Sequence, residues 1–144
     1  MVDAVITTWY GEDLFTGATG EEARQAQVEG VVEMVREEED SGEVDLVVFG
    51  ADLNDVPDSA AVGILKKAGL VDIVGEEEAT TWGRRSNTWT GDGREGRYRI
   101  DYVMMKGVGG REFGIHSARV VDMKTQDGIS LSDHAGIVVD IGLK

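Results

Sequence analysis

The sequence predicts an α/β fold built on one mixed, mainly antiparallel sheet. Two observations carry this reading. As far as about residue 74, apolar strand-like runs alternate with helical patterns, a βαβα order. Beyond that point, short apolar stretches follow one another across glycine-rich turns, the pattern of successive strands. A third observation sets the scale. The chain has 144 residues, 41% of them apolar, which suffices for a domain with a core. No repeat, low-complexity linker or internal boundary interrupts it, so residues 1–144 read as a single domain.

Each element has its own signal. "VDAVITTWY" (2–10) is rich in β-branched and aromatic residues and reads as a buried strand. "GEDLFTGATG" is a loop of turn formers. Thr19 and Glu22 have capping-box spacing, and Glu21 and Glu22 suit the positive end of a helix dipole. The helix they open carries Ala23, Val28, Val31, Val32 and Val35 on one stripe and acids on the other, and "EEEDSGE" closes it as a solvated end. "VDLVVFGA" is apolar on both faces, as in a sheet covered on both sides. "DSAAVGILKKAG" predicts a short helix with Asp58 or Ser59 as cap and Gly69 as stop. After "LVDIV", the stretches "TTWGRRSNTWT", "GRYRIDYVMMK", "REFGIHSARVVDM" and "AGIVVDIGL" read as strands, with "GDG" and "GVGGR" as tight connections.

Composition excludes some functions. A net charge of -14 argues against general binding to nucleic acid or anionic lipid. The charge is uneven: residues 84–124 carry +4 and the remainder -18. Wet faces of antiparallel strands account for this more simply than a phosphate site does. No run approaches the roughly 18–20 apolar residues that cross a bilayer. The first residues lack the basic-then-apolar pattern of a signal peptide. There is no cysteine and hence no disulfide framework.

The candidate chemistry sits where strands end. In "DLVVFGADLNDVPDS" an apolar strand runs into Asp52 and Asn54, two residues apart and on one side of an extended chain. A carboxylate and an amide suit a hard cation and a phosphate oxygen; taken by themselves, the residues are better explained by an Asx turn closed by Pro57. Asp101 lies in the otherwise apolar "RYRIDYVMM", where a carboxylate needs a partner. Asp133 and His134 stand just before the last strand, and His116, inside "FGIHSARV", reads as structural. If Asp101 held one nitrogen of His134, the other could take a proton from water. Asp52 and Asp133 could flank a metal.

"GADLNDVP", "TTW", "RYRIDYVMMK" and "ISLSDHAGIVVDI", in that order, resemble the endonuclease/exonuclease/phosphatase superfamily, the fold of deoxyribonuclease I. "RIDYV" before a basic residue, "LSDHAG" and the "DLN…P" loop are most similar to neutral sphingomyelinases. Upstream, "VITTWYGED" lies where that family has a strand ending in Thr-His, and "EEARQAQV" is similar to its Arg-x-x-Gln helix through Arg24 and Gln27. The resemblance implies half of a four-layer α/β sandwich with helices on one face of the sheet. It implies a Mg²⁺ (or Mn²⁺) dependent phosphodiesterase that hydrolyses sphingomyelin to ceramide and phosphocholine. Asp52 and Asn54 would hold metal and scissile phosphate, Asp133 would be a metal-side acid, His134 the general base and Asp101 its orienter. Asn54, Trp82 and Asn87 would meet substrate. Trp9, Trp82 and Trp89 are candidates for a lipid or choline headgroup, two of them at least reading as ordinary core or sheet residues.

Three departures accompany the resemblance. Ala51 stands where the family has glycine, and Thr8 where it has the histidine after the first strand. The chain matches the second half of a domain about twice its length, so it reads as a fragment of a longer product or a degenerate stand-alone protein. A half-domain implies self-association through an uncovered sheet face. The alternatives are a nuclease or inositol-phosphate phosphatase on the same fold, or a catalytically inactive interaction domain. The expected location is the cytoplasm or the periphery of a membrane.

Overall fold

The computed structural model describes residues 2–8, 19–75, 80–83, 88 and 98–143. The expected loop at 9–18, the "GDG" turn, most of the "TTWGRRSNTWT" strand, and with them Trp9, Asn87 and Trp89, lie outside the described residues.

Strands β1 (Val2–Thr8) and β2 (Leu46–Asp52) are parallel neighbours, in register from Val2–Leu46 to Thr8–Asp52. Parallel neighbours need a crossover, and helix α1 (Gly20–Ser41) makes it. Its N-terminus is the expected capping box. The Thr19 hydroxyl accepts from the Glu22 N–H at 3.3 Å, and the Thr19 N–H donates to the Glu22 carboxylate at 2.9 Å. Gly42 ends the helix at φ +69°, a left-handed turn that a glycine enters without a Cβ clash. Ser59, not Asp58, caps α2 (Ala60–Lys67), accepting from the Val62 N–H at 3.3 Å.

After the edge strand β3 (Val71–Asp72), β4 (Asp101–Gly107) runs antiparallel between β2 and β3, so the sheet order is β1-β2-β4-β3. Strands β5 (Phe113–Val121) and β6 (Gly136–Leu143) form a separate antiparallel ribbon, with a bulge at His116 between Ile115 and Ser117. The α/β class and mixed pairing are therefore as expected, but the strands divide between a four-stranded sheet and a ribbon. Trp82 makes only isolated bridges, to Tyr98 and His134, where a full strand was expected.

Side-chain alternation along β2 and β4 gives the sheet two apolar faces. Val47, Phe49, Ala51, Tyr102 and Met104 pack with Val28, Val31, Val32 and Val35 of α1 and Ala61, Val62 and Leu65 of α2. Leu46 and Met105 face the other way, with Val48 and Val103, against Phe113, Ala118, Val139 and Ile141 of the ribbon. Both helices thus lie on one face, as the resemblance implied. The other face is not bare as the sequence led us to expect, because the ribbon packs on it. Among the described residues, no helix is long and apolar enough to cross a membrane.

Candidate active site

The antiparallel register of β2 and β4 makes the site. It sets Asp52, the last residue of β2, opposite Asp101, the first of β4. Asp101 is therefore at a strand tip rather than inside a strand. His134 arrives from the loop before β6 and places Nδ1 2.9 Å from Asp101 Oδ2, and Nε2 3.8 Å from Asp52 Oδ2. Asn54 follows Asp52 in a tight turn, its N–H donating to Asp52 Oδ1 at 2.9 Å. The structure shows the Asx turn: β2 ends at Asp52, and Asn54, at φ +48°, does not continue the extended chain that the sequence reading placed it on.

Buried Thr81 aligns these pieces; it lies in the "TTW" motif of the resemblance, but no role was read for it there. Its hydroxyl accepts from the N–H groups of Ile100 and Asp101 at 3.1 and 3.2 Å. Its carbonyl accepts from the Ala135 N–H at 2.7 Å. One residue thus ties the start of β4 to the chain beside His134.

Asp133 is turned to Trp82, accepting from its indole N–H at 3.4 Å. Trp82 stacks on Tyr98, with centroids 6.0 Å apart and planes 24° apart. Asn54, Asp55, Trp82, Tyr98, Asp133 and His134 bound a cleft of about 440 Å³. A larger cleft of about 610 Å³ lies between α1 and α2 and holds none of the expected site residues. His116, exposed at the β5 bulge, does not line the cleft beside His134.

Burial pushes the Asp52 carboxyl above its ordinary pKa; the Asn54 N–H opposes this, the Asp101 charge adds to it, the His134 charge opposes it and the Asp133 charge adds to it. For His134, burial pushes the pKa down. The hydrogen bond to Asp101 and the charges of Asp101, Asp52 and Asp133 outweigh it, so the net shift is upward. Three acids crowding one imidazole is a charge arrangement that a divalent cation would relieve. Ligand atoms of Asp52, Asp101 and His134 lie within 4.8 Å of one another, and the donor set, mainly oxygen, suits a hard ion. This grouping pairs Asp52 with Asp101, whereas the sequence reading paired it with Asp133.

A model of the endonuclease/exonuclease/phosphatase family matches residues 2–134. The chain belongs to this family. Its members are hydrolases acting on phosphodiester bonds and generally depend on divalent metals. No curated protein matches the chain in a sequence comparison. Solved structures share the fold. Beta toxin from Staphylococcus aureus has a TM-score of 0.67 at 22% identity, over 96% of this chain and 52% of that one. The catalytic domain of human nocturnin, with bound sulfate, gives 0.65 at 16%, over 98% and 47%. D. rerio TDP2 complexed with single-strand DNA product gives 0.64 at 18%, over 95% and 55%. The chain spans about half the length of these family folds.

Proposed function

We propose that this family member carries the hydrolytic centre of a neutral-sphingomyelinase-type phosphodiesterase, cleaving sphingomyelin to ceramide and phosphocholine. The observation that carries the reading is the His134–Asp101 pair, held at 2.9 Å beside Asp52 and Asn54 at a cleft walled by an aromatic stack. Asp101 keeps the proton on Nδ1, which leaves Nε2 to accept one from water. The water oxygen attacks phosphorus in line, and the ceramide oxygen leaves opposite. The Asn54 amide donates to a non-bridging phosphoryl oxygen. Asp52 would hold Mg²⁺ or Mn²⁺, and Asp133, held by the Trp82 indole, stands outside the Asp52–Asp101–His134 group; the bound ion would supply stabilisation of negative charge on the phosphoryl and leaving oxygens.

The headgroup assignment rests on the cleft wall and on charge. Aromatic faces beside a carboxylate attract a quaternary ammonium group, and Trp82 and Tyr98 stand beside Asp133. A nucleic-acid substrate, such as the strand bound to TDP2, is disfavoured by a net charge of -14. A second reading, an inactive interaction domain, draws on Thr8, which the register sets opposite Asp52 where the family has a histidine.

The test is a Mg²⁺-dependent assay on sphingomyelin in mixed micelles, with single-stranded DNA as the competing substrate. Phosphocholine release by the chain in its full-length context should be lost by about 10²- to 10⁴-fold in His134→Ala. DNA hydrolysis without lipid hydrolysis would replace the substrate assignment. Absence of both would favour the inactive domain.

A further inference from the structure

Among the described residues, Asn54 is the one non-glycine with positive φ, +48°. Asparagine tolerates this left-handed region better than most residues, but it remains disfavoured and needs surroundings that impose it. The flanks of Asn54 are held on both sides. On one side, the Leu53 N–H donates to the Ile100 carbonyl at 2.8 Å, and the Leu53 side chain is buried in the core under the helices. On the other, Asp55 is gripped twice. Its carboxylate receives Arg24 Nε at 3.1 Å, and its carbonyl receives the Tyr102 hydroxyl at 2.8 Å.

Neither grip is loose. Arg24 projects from the second turn of α1, whose start is locked by the capping box. Tyr102 is buried beneath the Arg99 guanidinium, 4.7 Å from its ring centroid, and Arg99 is itself paired with Asp72. The hydroxyl has one proton and two carbonyls in reach, Asp55 at 2.8 Å and Arg99 at 3.2 Å; the shorter contact takes most of it.

We infer that Arg24, acting with Tyr102 through Asp55, is a positioning residue that holds Asn54 in its left-handed turn and so keeps the Asn54 side chain in the cleft. The inference rests on the phosphodiesterase reading for its catalytic consequence, though not for its geometry. It gives a use to the Arg-x-x-Gln helix that the chemistry of the centre leaves unexplained. It also predicts that charge alone is insufficient. Arginine reaches Asp55 through a planar fork fixed at Nε, whereas lysine offers a point charge on a flexible stem. Lysine should therefore rescue only in part.

The experiment uses the whole chain, isotope-labelled, in buffer with Mg²⁺. A positive φ brings an amide proton close to its own Hα, so wild-type Asn54 should give a strong intraresidue cross-relaxation signal. Arg24→Met and Tyr102→Phe should each weaken it, Arg24→Lys should restore part of it, and the Arg24→Met/Asp55→Asn double variant should be no worse than either single change. Phosphocholine should shift the Asn54 side-chain amide resonances in the wild type and fail to do so in Arg24→Met. Turnover of sphingomyelin should fall by about 10- to 100-fold in Arg24→Met with KM little changed, the size expected of a misplaced contact. Thermal unfolding separates this from a loss of fold. An undiminished cross-relaxation signal in Arg24→Met refutes the clamp whatever the chain hydrolyses. A lost signal with unchanged turnover refutes its catalytic consequence. A wild-type chain without hydrolysis counts against the proposed function alone, and the cross-relaxation signal still decides the clamp.

Discussion

Asp101→Asn isolates the contact on which the proposed mechanism turns. The change keeps size and one oxygen, and the backbone anchor from the Asp101 N–H to Thr81 is independent of the side chain. It removes the charge from a 2.9 Å hydrogen bond between two side chains that are each 19% exposed. Hydrogen bonds involving a charged partner contribute about 1.5–3 kcal/mol. At about 1.4 kcal/mol per tenfold, turnover should fall roughly 10- to 150-fold. The larger end applies if the asparagine turns its amide toward Nδ1 and reverses the tautomer. The direct assay is a proton NMR titration of the histidine rings in metal-free buffer. The chain has two histidines, so the His134 signals are assigned by their loss in His134→Ala. His134 in the wild type should titrate above the ordinary histidine range, because the Asp101, Asp52 and Asp133 contributions outweigh burial. In the variant its pKa should fall. The sign has two consequences. A general base works when neutral, so the acid limb of the rate profile follows the folded pKa and should move to lower pH. Stability from a raised histidine pKa is fully present below the unfolded value, about 6.5, and is lost as pH rises through the folded one; the variant should lose it on the acid side. An unchanged His134 titration, or full turnover in the variant, would refute the pairing as the source of catalysis.

Two further outcomes follow from the same geometry. Burial and its acidic neighbours raise the Asp52 pKa, so the carboxyl favours folding below its unfolded pKa of about 3.8 and loses that contribution as pH rises. Asp52→Asn should accordingly raise the metal-free unfolding temperature at neutral pH by a few degrees and abolish any increase on adding Mg²⁺, both read by thermal unfolding. Trp82→Ala should raise KM for sphingomyelin by about 3- to 30-fold, the worth of a cation–aromatic contact of roughly 0.5–2 kcal/mol, with kcat affected less; an equal loss on a substrate lacking the quaternary ammonium would assign Trp82 to structure.

Local signals were legible because local physics writes them. The Thr19–Glu22 box, the valine stripe of α1 and the cap of α2 are each contained within a few residues, and each is found in the fold. So is the two-faced character of β2, since alternating burial leaves its mark on the strand itself. Strand extent was less legible. "LVDIV" contributes two strand residues and Trp82 only bridges, because pairing depends on a partner that the segment cannot specify. The division into sheet and ribbon is of the same kind, decided by which apolar face finds which neighbour.

The candidate site divides similarly. The sequence by itself determined that Asp52, Asn54, Asp133 and His134 stand at or near strand ends, since apolar runs and turn residues bracket each of them, while Asp101 read as interior to its strand. It also set the acidic charge that disfavours a nucleic-acid partner. Only the tertiary structure decided who meets whom. The antiparallel register of β2 and β4 sets Asp52 against Asp101, and Thr81 brings the chain beside His134 to the same edge. It turned Asp133 toward Trp82, and it enlisted Arg24, Tyr102 and Asp55 around Asn54. Those contacts join residues tens of positions apart. Their hydrogen bonds are a few ångströms long and directional, so they exist only once the strands and helices that carry them are packed.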